Sequence, residues 1–281
     1  MVWRQYSLIH RELELAIQEQ GPAAQKPIVA LHGWRDNSAS FNRLAQLLLD
    51  QRIIAPDFPG HGRSARRHAQ ASYSIWSYLE EVDVLVERHC PDGCVLLGHS
   101  MGGAVAALYA ALYPERCAKL ILLDTIGPLA TQPQDAPAQL REAQQQLRTR
   151  KLNWRQHYPS YEAAVAARAS RGLSELAAHA LAERGVQQDG QGWYWDQDPR
   201  LAMKNAVSFT EEHSRVFLER IACPVLLVAA HSFWAGRMDW FEQRCGYFRD
   251  LERHVLDGSH HQHMEEQAPQ VAALVGDFLL R

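Results

Sequence analysis

The sequence lacks any apolar stretch as long as the ~18 residues that a membrane-spanning helix requires. The longest apolar stretch runs from Gly102 to Tyr113 and is better explained as a buried helix. Segment 1–15 also lacks the positive flank and the apolar block of a secretory signal. These absences predict a cytoplasmic protein with no membrane partner.

An excess of charge of either sign is missing as well. Lys and Arg total 29 and Asp and Glu total 32, which gives a net charge of -3. Such a balance produces no field that would attract nucleic acid. Arg63, Arg66 and Arg67 form a basic cluster in a Gly- and Ser-containing loop, which predicts an ordinary solvated surface. A small-molecule substrate is the expected partner, and the sequence leaves the oligomeric state open.

The cysteines have neither the number nor the spacing of a structural framework. The 5 cysteines stand at positions 90, 94, 117, 223 and 245, without the paired spacing of a zinc site. An odd number scattered in this way predicts reduced thiols, as in the cytoplasm. No cofactor is predicted from them.

Short, unbroken apolar runs recur along the chain, at 28–31, 53–55, 95–97, 120–123 and 225–228. Runs of this length, bounded by turn residues, are typical of strands buried on both faces of a sheet. Helix-length stretches separate them, so the pattern predicts an α/β fold with a mostly parallel, doubly wound sheet. Residues 13–18 alternate between apolar and polar, which predicts a half-exposed antiparallel strand near the start of the sheet.

The alternation of strands and helices stops between about residues 129 and 205, where Ala, Gln, Arg and Leu dominate. We interpret 129–205 as a helical cap, inserted after the sixth strand of one core domain that comprises 1–128 and 206–281. Aromatic residues are frequent in this cap, where they either pack the cap against the core or line a pocket. They include Trp154, Tyr158, Tyr161, Trp193, Tyr194 and Trp195.

Ser100 lies in the pattern Gly98-His99-Ser100-Met101-Gly102, directly after the apolar run 95–97 and before a helix-forming stretch. In this context a serine is presented on a sharp turn between a strand and a helix. Glycines flank such a serine because the neighbouring backbones pass too close for side chains. The pattern predicts that Ser100 is a catalytic nucleophile.

A serine hydroxyl is a poor nucleophile at neutral pH and needs an imidazole to accept its proton. Among the 14 histidines, His260 fits best because it follows the strand pattern 251–256, in a Gly-containing loop before the last helix. His261 and His263 stand close by and raise the question of a metal site. Metal binding needs converging ligands and a fourth partner that this loop does not show, so we predict no metal.

Four motifs together resemble the alpha/beta-hydrolase superfamily, and specifically its serine hydrolase-like branch. They are His32-Gly33-Trp34-x-Asp36-Asn37, Asp57-x-x-Gly60-His61-Gly62-x-Ser64, Gly98-His99-Ser100-Met101-Gly102-Gly103 and Gly258-x-His260-x-x-His263. The resemblance implies the alpha/beta-hydrolase fold and an oxyanion hole formed by the backbone N–H groups of Trp34 and Met101. Asp57 and His61 belong to a turn whose sequence reflects backbone geometry, so we expect both to be structural.

The acidic residue that orients the catalytic histidine is displaced in this chain. The resemblance implies an acid after the strand matched here by 224–230, but His231-Ser232-Phe233-Trp234 stands there. Asp124, directly after 120–123, is the substitute that we favour, because a carboxylate fixes the imidazole tautomer and stabilises the imidazolium. Asp239, in the next predicted helix, is the reserve candidate. The alternative role for Asp124 is to turn the chain into the cap.

The expected activity is that of a serine hydrolase, which cleaves a small, apolar, ester-like substrate through an acyl-enzyme on Ser100. No organic cofactor is expected. Two alternatives stay open. One is cofactor-free haloperoxidase or perhydrolase chemistry on the same triad, and the other is a hydrolase-like protein that binds a ligand with weakened catalysis.

Overall fold

The computed structural model describes residues 3–23, 25–149 and 155–281. Its strands in chain order are β1 (Arg4–His10), β2 (Leu13–Gln20), β3 (Pro27–Leu31), β4 (Arg52–Pro56), β5 (Cys94–His99), β6 (Cys117–Leu123), β7 (His157–Tyr158), β8 (Val186–Asp189), β9 (Gly192–Trp195), β10 (Val225–Ala230) and β11 (Leu251–Leu256). Its α-helices are α1 (Asn42–Leu47), α2 (Leu79–His89), α3 (Met101–Leu112), α4 (Ala136–Thr149), α5 (Tyr161–Ala169), α6 (Glu175–Gly185), α7 (Glu211–Arg220), α8 (His231–Trp234), α9 (Met238–Cys245) and α10 (Ala268–Leu280). None of the helices within the described ranges is both long and apolar enough to cross a membrane.

Eight strands form one sheet in the order β1-β2-β4-β3-β5-β6-β10-β11. β2 pairs antiparallel with both β1 and β4, whereas every other pairing in this sheet is parallel. The predicted α/β class with a mostly parallel sheet is therefore confirmed. Because β3, β5, β6 and β10 are parallel neighbours, their carboxyl ends meet at one edge, where such sheets place their ligand sites.

The unbroken apolar runs are strands with both faces covered. In β3, Val29 and Leu31 belong to one hydrophobic core, whereas Ile28 and Ala30 belong to a second core on the opposite face. This division follows from the period of two in a strand. Residues of α2 and α3 contribute to the first core and residues of α1 and α10 to the second, so the sheet is covered on both faces.

The expectation that β2 is half-exposed is wrong. Every residue from Leu15 to Gln20 is buried. Two polar side chains of this strand bond to the neighbouring α1, because Gln18 Nε2 donates to Asn42 Oδ1 at 3.0 Å and Gln20 Nε2 donates to Ala45 O at 2.6 Å. A third, Glu19, pairs with Arg52 of β4 at 2.8 Å. Hydrogen-bonded polar groups can be buried at little cost, so their alternation with apolar residues does not mark an exposed face. The edge strand is β1, which the alternation does not reveal.

The region between β6 and β10 contains α4, α5 and α6, and it also contains a small sheet in the order β7-β9-β8. The expectation of a purely helical insertion therefore misses this sheet. β8 and β9 pair through Asp189 and Gly192, which leaves a two-residue turn, and the following Trp193–Trp195 segment has the aromatic residues that strands favour. Trp154 lies outside the described residues.

Candidate active site

Ser100 occupies the sharp turn between β5 and α3. Its φ of 50° lies in the left-handed region, which residues other than glycine rarely adopt. Two close approaches around it require glycine. An added Cβ at Gly98 would lie 2.3 Å from the Gly103 Cα, and one at Gly102 would lie 2.0 Å from the Leu31 carbonyl oxygen. The sequence pattern around Ser100 is thus explained by backbone packing.

Asp124 follows β6 at the same edge of the sheet, and its side chain is fully buried. Its Oδ1 accepts hydrogen bonds from the Ala230 N–H and the Trp234 indole N–H, both at 2.7 Å. Its Oδ2 lies 2.5 Å from Nδ1 of His260. Both carboxylate oxygens are therefore engaged, and the contact with an acceptor assigns the His260 proton to Nδ1.

His260 lies in the loop between β11 and α10. The Phe233 ring stacks on the His260 ring, with centroids 4.3 Å apart and an interplanar angle of 24°. The His260 carbonyl oxygen accepts a hydrogen bond from His99 Nε2 at 2.9 Å. Asp124 and Phe233 thus orient the ring, and His99 holds the backbone of His260.

A cavity of about 530 Å³ opens beside these residues. Ser100, Asp124 and Phe233 all line it, so the predicted nucleophile shares one space with the partners of His260. The rest of its wall is largely apolar and includes Tyr73, Ile75, Trp76, Ile126, Phe209, Trp234 and Trp240. Between Ser100 Oγ and His260, both within the described ranges, the structure records no hydrogen bond.

Trp34 and Met101, the residues expected to supply the oxyanion hole, also line the cavity. Trp34 follows β3, and Met101 is the first residue of α3. The first N–H groups of a helix have no acceptor within the helix. In the part of the chain that the structure describes, neither the Trp34 N–H nor the Met101 N–H has a recorded acceptor. Among the described residues, no protein group therefore competes for these donors.

The structure brings Asp124, and not the reserve candidate Asp239, to His260. Asp239 is exposed on α9. Its carboxylate has no recorded contact with His260, which instead contacts Asp124 as its acidic partner. The order of elements after β10 explains the difference, because α9 begins several residues beyond the carboxyl edge of the sheet.

Asp57 and His61 lie in the turn after β4, and neither lines the cavity. Asp57 is buried and pairs with Arg184 of α6, with Nε and Oδ2 2.7 Å apart. His61 is also buried, and this desolvation lowers its pKa to about 3. These contacts accord with the expectation that both residues are structural.

A second cluster of polar side chains lies next to His260 and consists of Asp36, His99, His261 and Arg168. The ring centroids of His99 and His261 are 5.0 Å apart. Burial, together with the neighbouring histidines, lowers the pKa of His99 well below its ordinary value. Burial alone would raise the pKa of Asp36, but contacts with His261 and the Arg168 charge hold it below its ordinary range. The motifs that contain these residues do not reveal that they converge.

Phe233 and Trp234 are site residues that sequence reasoning missed. Both belong to segment 231–234, where the resemblance implied an acid. The feature of the sequence that could have indicated their role is that two aromatic residues stand at a position where a carboxylate was expected. Their roles depend on contacts with Asp124 and His260, which are far from them in sequence.

The described aromatic residues of the insertion do not line the cavity. Tyr161 packs edge-on against Trp193 with centroids 5.5 Å apart, and Trp195 Nε1 donates to Ala164 O at 3.0 Å. They surround a small core within the insertion itself. The aromatic wall of the cavity comes from residues outside 129–205.

The sheet order, the strained serine after β5 and the histidine after β11 together define an alpha/beta hydrolase. The family model described as alpha/beta hydrolase fold matches residues 26–267, and the chain belongs to this family. It is similar to a serine hydrolase-like protein of Danio rerio, with 32% identity over 284 residues. The match covers 95% of this chain and 85% of the relative.

Solved structures show the same fold. A hypothetical protein from Pseudomonas aeruginosa PAO1 superposes with a TM-score of 0.91 at 37% identity, over 99% of each chain. A thioesterase domain from the curacin biosynthetic pathway superposes with a TM-score of 0.84 at 23% identity, over 98% of this chain and 100% of the other. The second likeness concerns the fold alone.

Proposed function

We propose that the chain is a serine hydrolase that cleaves small, apolar, ester-like substrates through an acyl-enzyme on Ser100. The observation that carries the proposal is the 2.5 Å contact between His260 Nδ1 and Asp124 Oδ2, beside a cavity that Ser100 lines. A carboxylate at Nδ1 holds the imidazole in the tautomer whose Nε2 can accept the serine proton.

Acylation begins when Ser100 Oγ attacks the substrate carbonyl carbon and its proton moves to His260 Nε2. The carbonyl oxygen becomes negative, and we assign the backbone N–H groups of Trp34 and Met101 as its donors. Fixed donors in a dry site contribute about 3 kcal/mol each to the transition state. The intermediate then expels the alcohol, which takes the proton from His260 and leaves the acyl group on Ser100.

Deacylation repeats these steps with water as the nucleophile. His260 takes a proton from the water as its oxygen attacks the acyl carbon, and then returns a proton to Ser100 Oγ as the acid leaves. In this scheme the hydrogen bond from Ser100 to His260 forms as the substrate binds, because catalytic hydrogen bonds commonly tighten only in the enzyme–substrate complex.

The apolar wall of the cavity supports an apolar acyl or alcohol portion. Its volume of about 530 Å³ falls within the ~300–1,000 Å³ of pockets for small ligands. We also propose that 129–205 forms a cap on a core of 1–128 and 206–281, since Leu129, Gln139 and Met203 contribute to the cavity wall.

A fluorophosphonate probe, which reacts with activated serines, tests the proposal. We expect the wild type to be labelled and Ser100→Ala to remain unlabelled. Ser208→Ala is the matched control, because Ser208 also lines the cavity and should not affect labelling. A folded wild-type protein that resists the probe would overturn the hydrolase and favour a ligand-binding protein.

Turnover of p-nitrophenyl acetate, butyrate, octanoate and laurate tests the substrate class. We expect kcat/KM to rise with chain length until the acyl chain fills the cavity, and then to fall. A labelled protein that hydrolyses none of these esters, but brominates a phenol when supplied with bromide as the halogen source and hydrogen peroxide as the oxidant, would favour haloperoxidase chemistry.

A further inference from the structure

We propose that Asp36, His99 and His261 form a binding site for one transition-metal cation of the borderline class that includes Zn²⁺. Asp36 lies in the loop after β3, His99 ends β5 and His261 lies before α10. The expectation of no metal rested on the loop of His261 and His263 alone, and the fold adds two further ligands to it. Zn²⁺ binding at this site does not depend on the serine chemistry proposed above.

The distances between the candidate ligand atoms suit a small cation. Asp36 Oδ2, His99 Nδ1 and His261 Nε2 all lie within 4.8 Å of one another. Asp36 Oδ2 is 3.7 Å from His99 Nδ1 and 3.4 Å from His261 Nε2. For bonds of ~2.0–2.1 Å, two ligands of a tetrahedral ion lie about 3.3–3.4 Å apart. The separation of Asp36 from His261 matches this spacing, that of Asp36 from His99 exceeds it slightly, and the two histidine atoms lie within 4.8 Å of each other.

The hydrogen bonding of His99 prepares Nδ1 to act as a ligand. Nε2 faces the carbonyl oxygen of His260 at 2.9 Å, so it carries the proton and Nδ1 presents a lone pair. The His99 side chain is 1% exposed. Among the described residues, Nδ1 has no hydrogen-bond partner. Histidines that bind metals usually donate their other N–H to a carbonyl or a carboxylate, as His99 does here.

Asp36 is held in a way that leaves one oxygen for a cation. Its Oδ1 accepts a hydrogen bond from Arg168 Nη2 at 2.5 Å, and its Oδ2 faces the two histidines. Gly33 keeps the adjacent space open, since an added Cβ there would lie 2.8 Å from His99 Nδ1 and 2.9 Å from Asp36 Oδ2. The site thus consists of two histidine nitrogens and one Asp36 oxygen, with a fourth position for water. The contact with Arg168 holds the carboxylate from outside the site.

The competing explanation is a hydrogen bond from His261 Nε2 to Asp36 Oδ2, with a buried water at His99 Nδ1. The two explanations differ in metal affinity. Calorimetric titration of chelator-treated protein with ZnCl2 should show one site with a Kd in the micromolar range or below. Thermal denaturation with Zn²⁺ at about 100 times Kd should raise Tm by about 5 °C.

Matched variants locate the site. His261→Gln should weaken Zn²⁺ binding at least tenfold, because it removes one ligand at a partly exposed position. His157→Gln is the control, since His157 Nε2 also faces a carboxylate, Asp189 Oδ2, at 3.1 Å. The His157→Gln variant should bind Zn²⁺ with the affinity of the wild type. Asp36→Asn provides a second test if His261→Gln fails to fold, as judged by near-ultraviolet circular dichroism.

Substitution with Co²⁺ distinguishes this site from the cysteines. We expect the visible bands of a four-coordinate nitrogen and oxygen site, without the charge-transfer band of thiolate ligands. Three results would each overturn the proposal: no Zn²⁺ binding by the folded wild type, unchanged binding in both ligand variants, or a thiolate spectrum.

Discussion

The indole N–H of Trp234 donates to Asp124 Oδ1 at 2.7 Å, while the other oxygen of the same carboxylate contacts His260. Trp234 therefore helps to set the rotation of the carboxylate that orients the histidine. The Trp234 side chain is buried at the wall of the cavity, so this contact belongs to the site itself. Trp234 thus supports Asp124, the acid that follows β6 instead of β10.

Trp234→Phe removes this donor and keeps an aromatic ring in place. Because a hydrogen bond to a charged group contributes about 1.5–3 kcal/mol, we expect kcat on a p-nitrophenyl ester to fall roughly 10- to 100-fold. Trp240→Phe is the control, since its indole also lines the cavity but donates to Glu211 at 3.0 Å. Equal losses of kcat in the two variants would contradict a positioning role for Trp234.

Asp124→Asn should leave the fold intact and lower kcat by roughly 10⁴-fold, because an amide at this position favours the wrong imidazole tautomer. Asp239→Asn changes an exposed carboxylate that has no recorded contact with His260, and it should retain full activity. Steady-state kinetics and near-ultraviolet circular dichroism of both variants provide the measurement. Loss of activity in Asp239→Asn alone would identify the reserve candidate as the acid.

Arg184→Met leaves the carboxylate of Asp57 without its buried partner. Breaking a buried pair costs about 3–5 kcal/mol, and two backbone N–H groups still bond to Asp57, so we expect a loss near the lower figure. Arg66→Met removes the half-exposed pair with Asp196 and should cost less than about 1 kcal/mol. Urea denaturation of both variants tests this difference, and similar midpoints would refute it.

The stability of the protein should decrease in mild acid because of His61. Burial holds the pKa of His61 at about 3 in the folded chain, against ~6.5 when it is unfolded. Below about pH 6.5 the unfolded chain binds a proton that the folded chain does not. The free energy of unfolding therefore falls by up to about 1.4 kcal/mol per pH unit towards pH 3, and His61 has no effect above pH 6.5.

His61→Asn should make this pH dependence shallower by about one proton, as measured by urea denaturation between about pH 7 and pH 5. His68→Asn, which changes an exposed histidine a few residues further along the chain, is the matched control. An identical slope in wild type and His61→Asn would show that His61 does not resist protonation in the folded chain.

Short-range patterns predicted most of the fold. The apolar runs correspond to β3, β4, β5, β6 and β10, because residues buried on both faces leave no polar alternation. The turn that holds Ser100 was also predictable from a local pattern. Its glycines are required by close backbone contacts, either within a few residues or with the neighbouring strand. The burial of β2 was not predictable from such patterns, because it depends on hydrogen-bond partners in α1.

By itself, the amino-acid sequence determined the α/β class, the strand-to-helix turn at Ser100 and the position of His260 after the last strand, because these follow from local periodicity and chain order. Only the tertiary structure decided that Asp124 meets His260, a residue 136 positions away. It also decided that Trp234 donates to Asp124 and that Asp36 and His99 converge with His261. Contacts of this kind depend on which strands lie side by side in the sheet. The spacing of two residues along the sequence does not show whether their strands are neighbours.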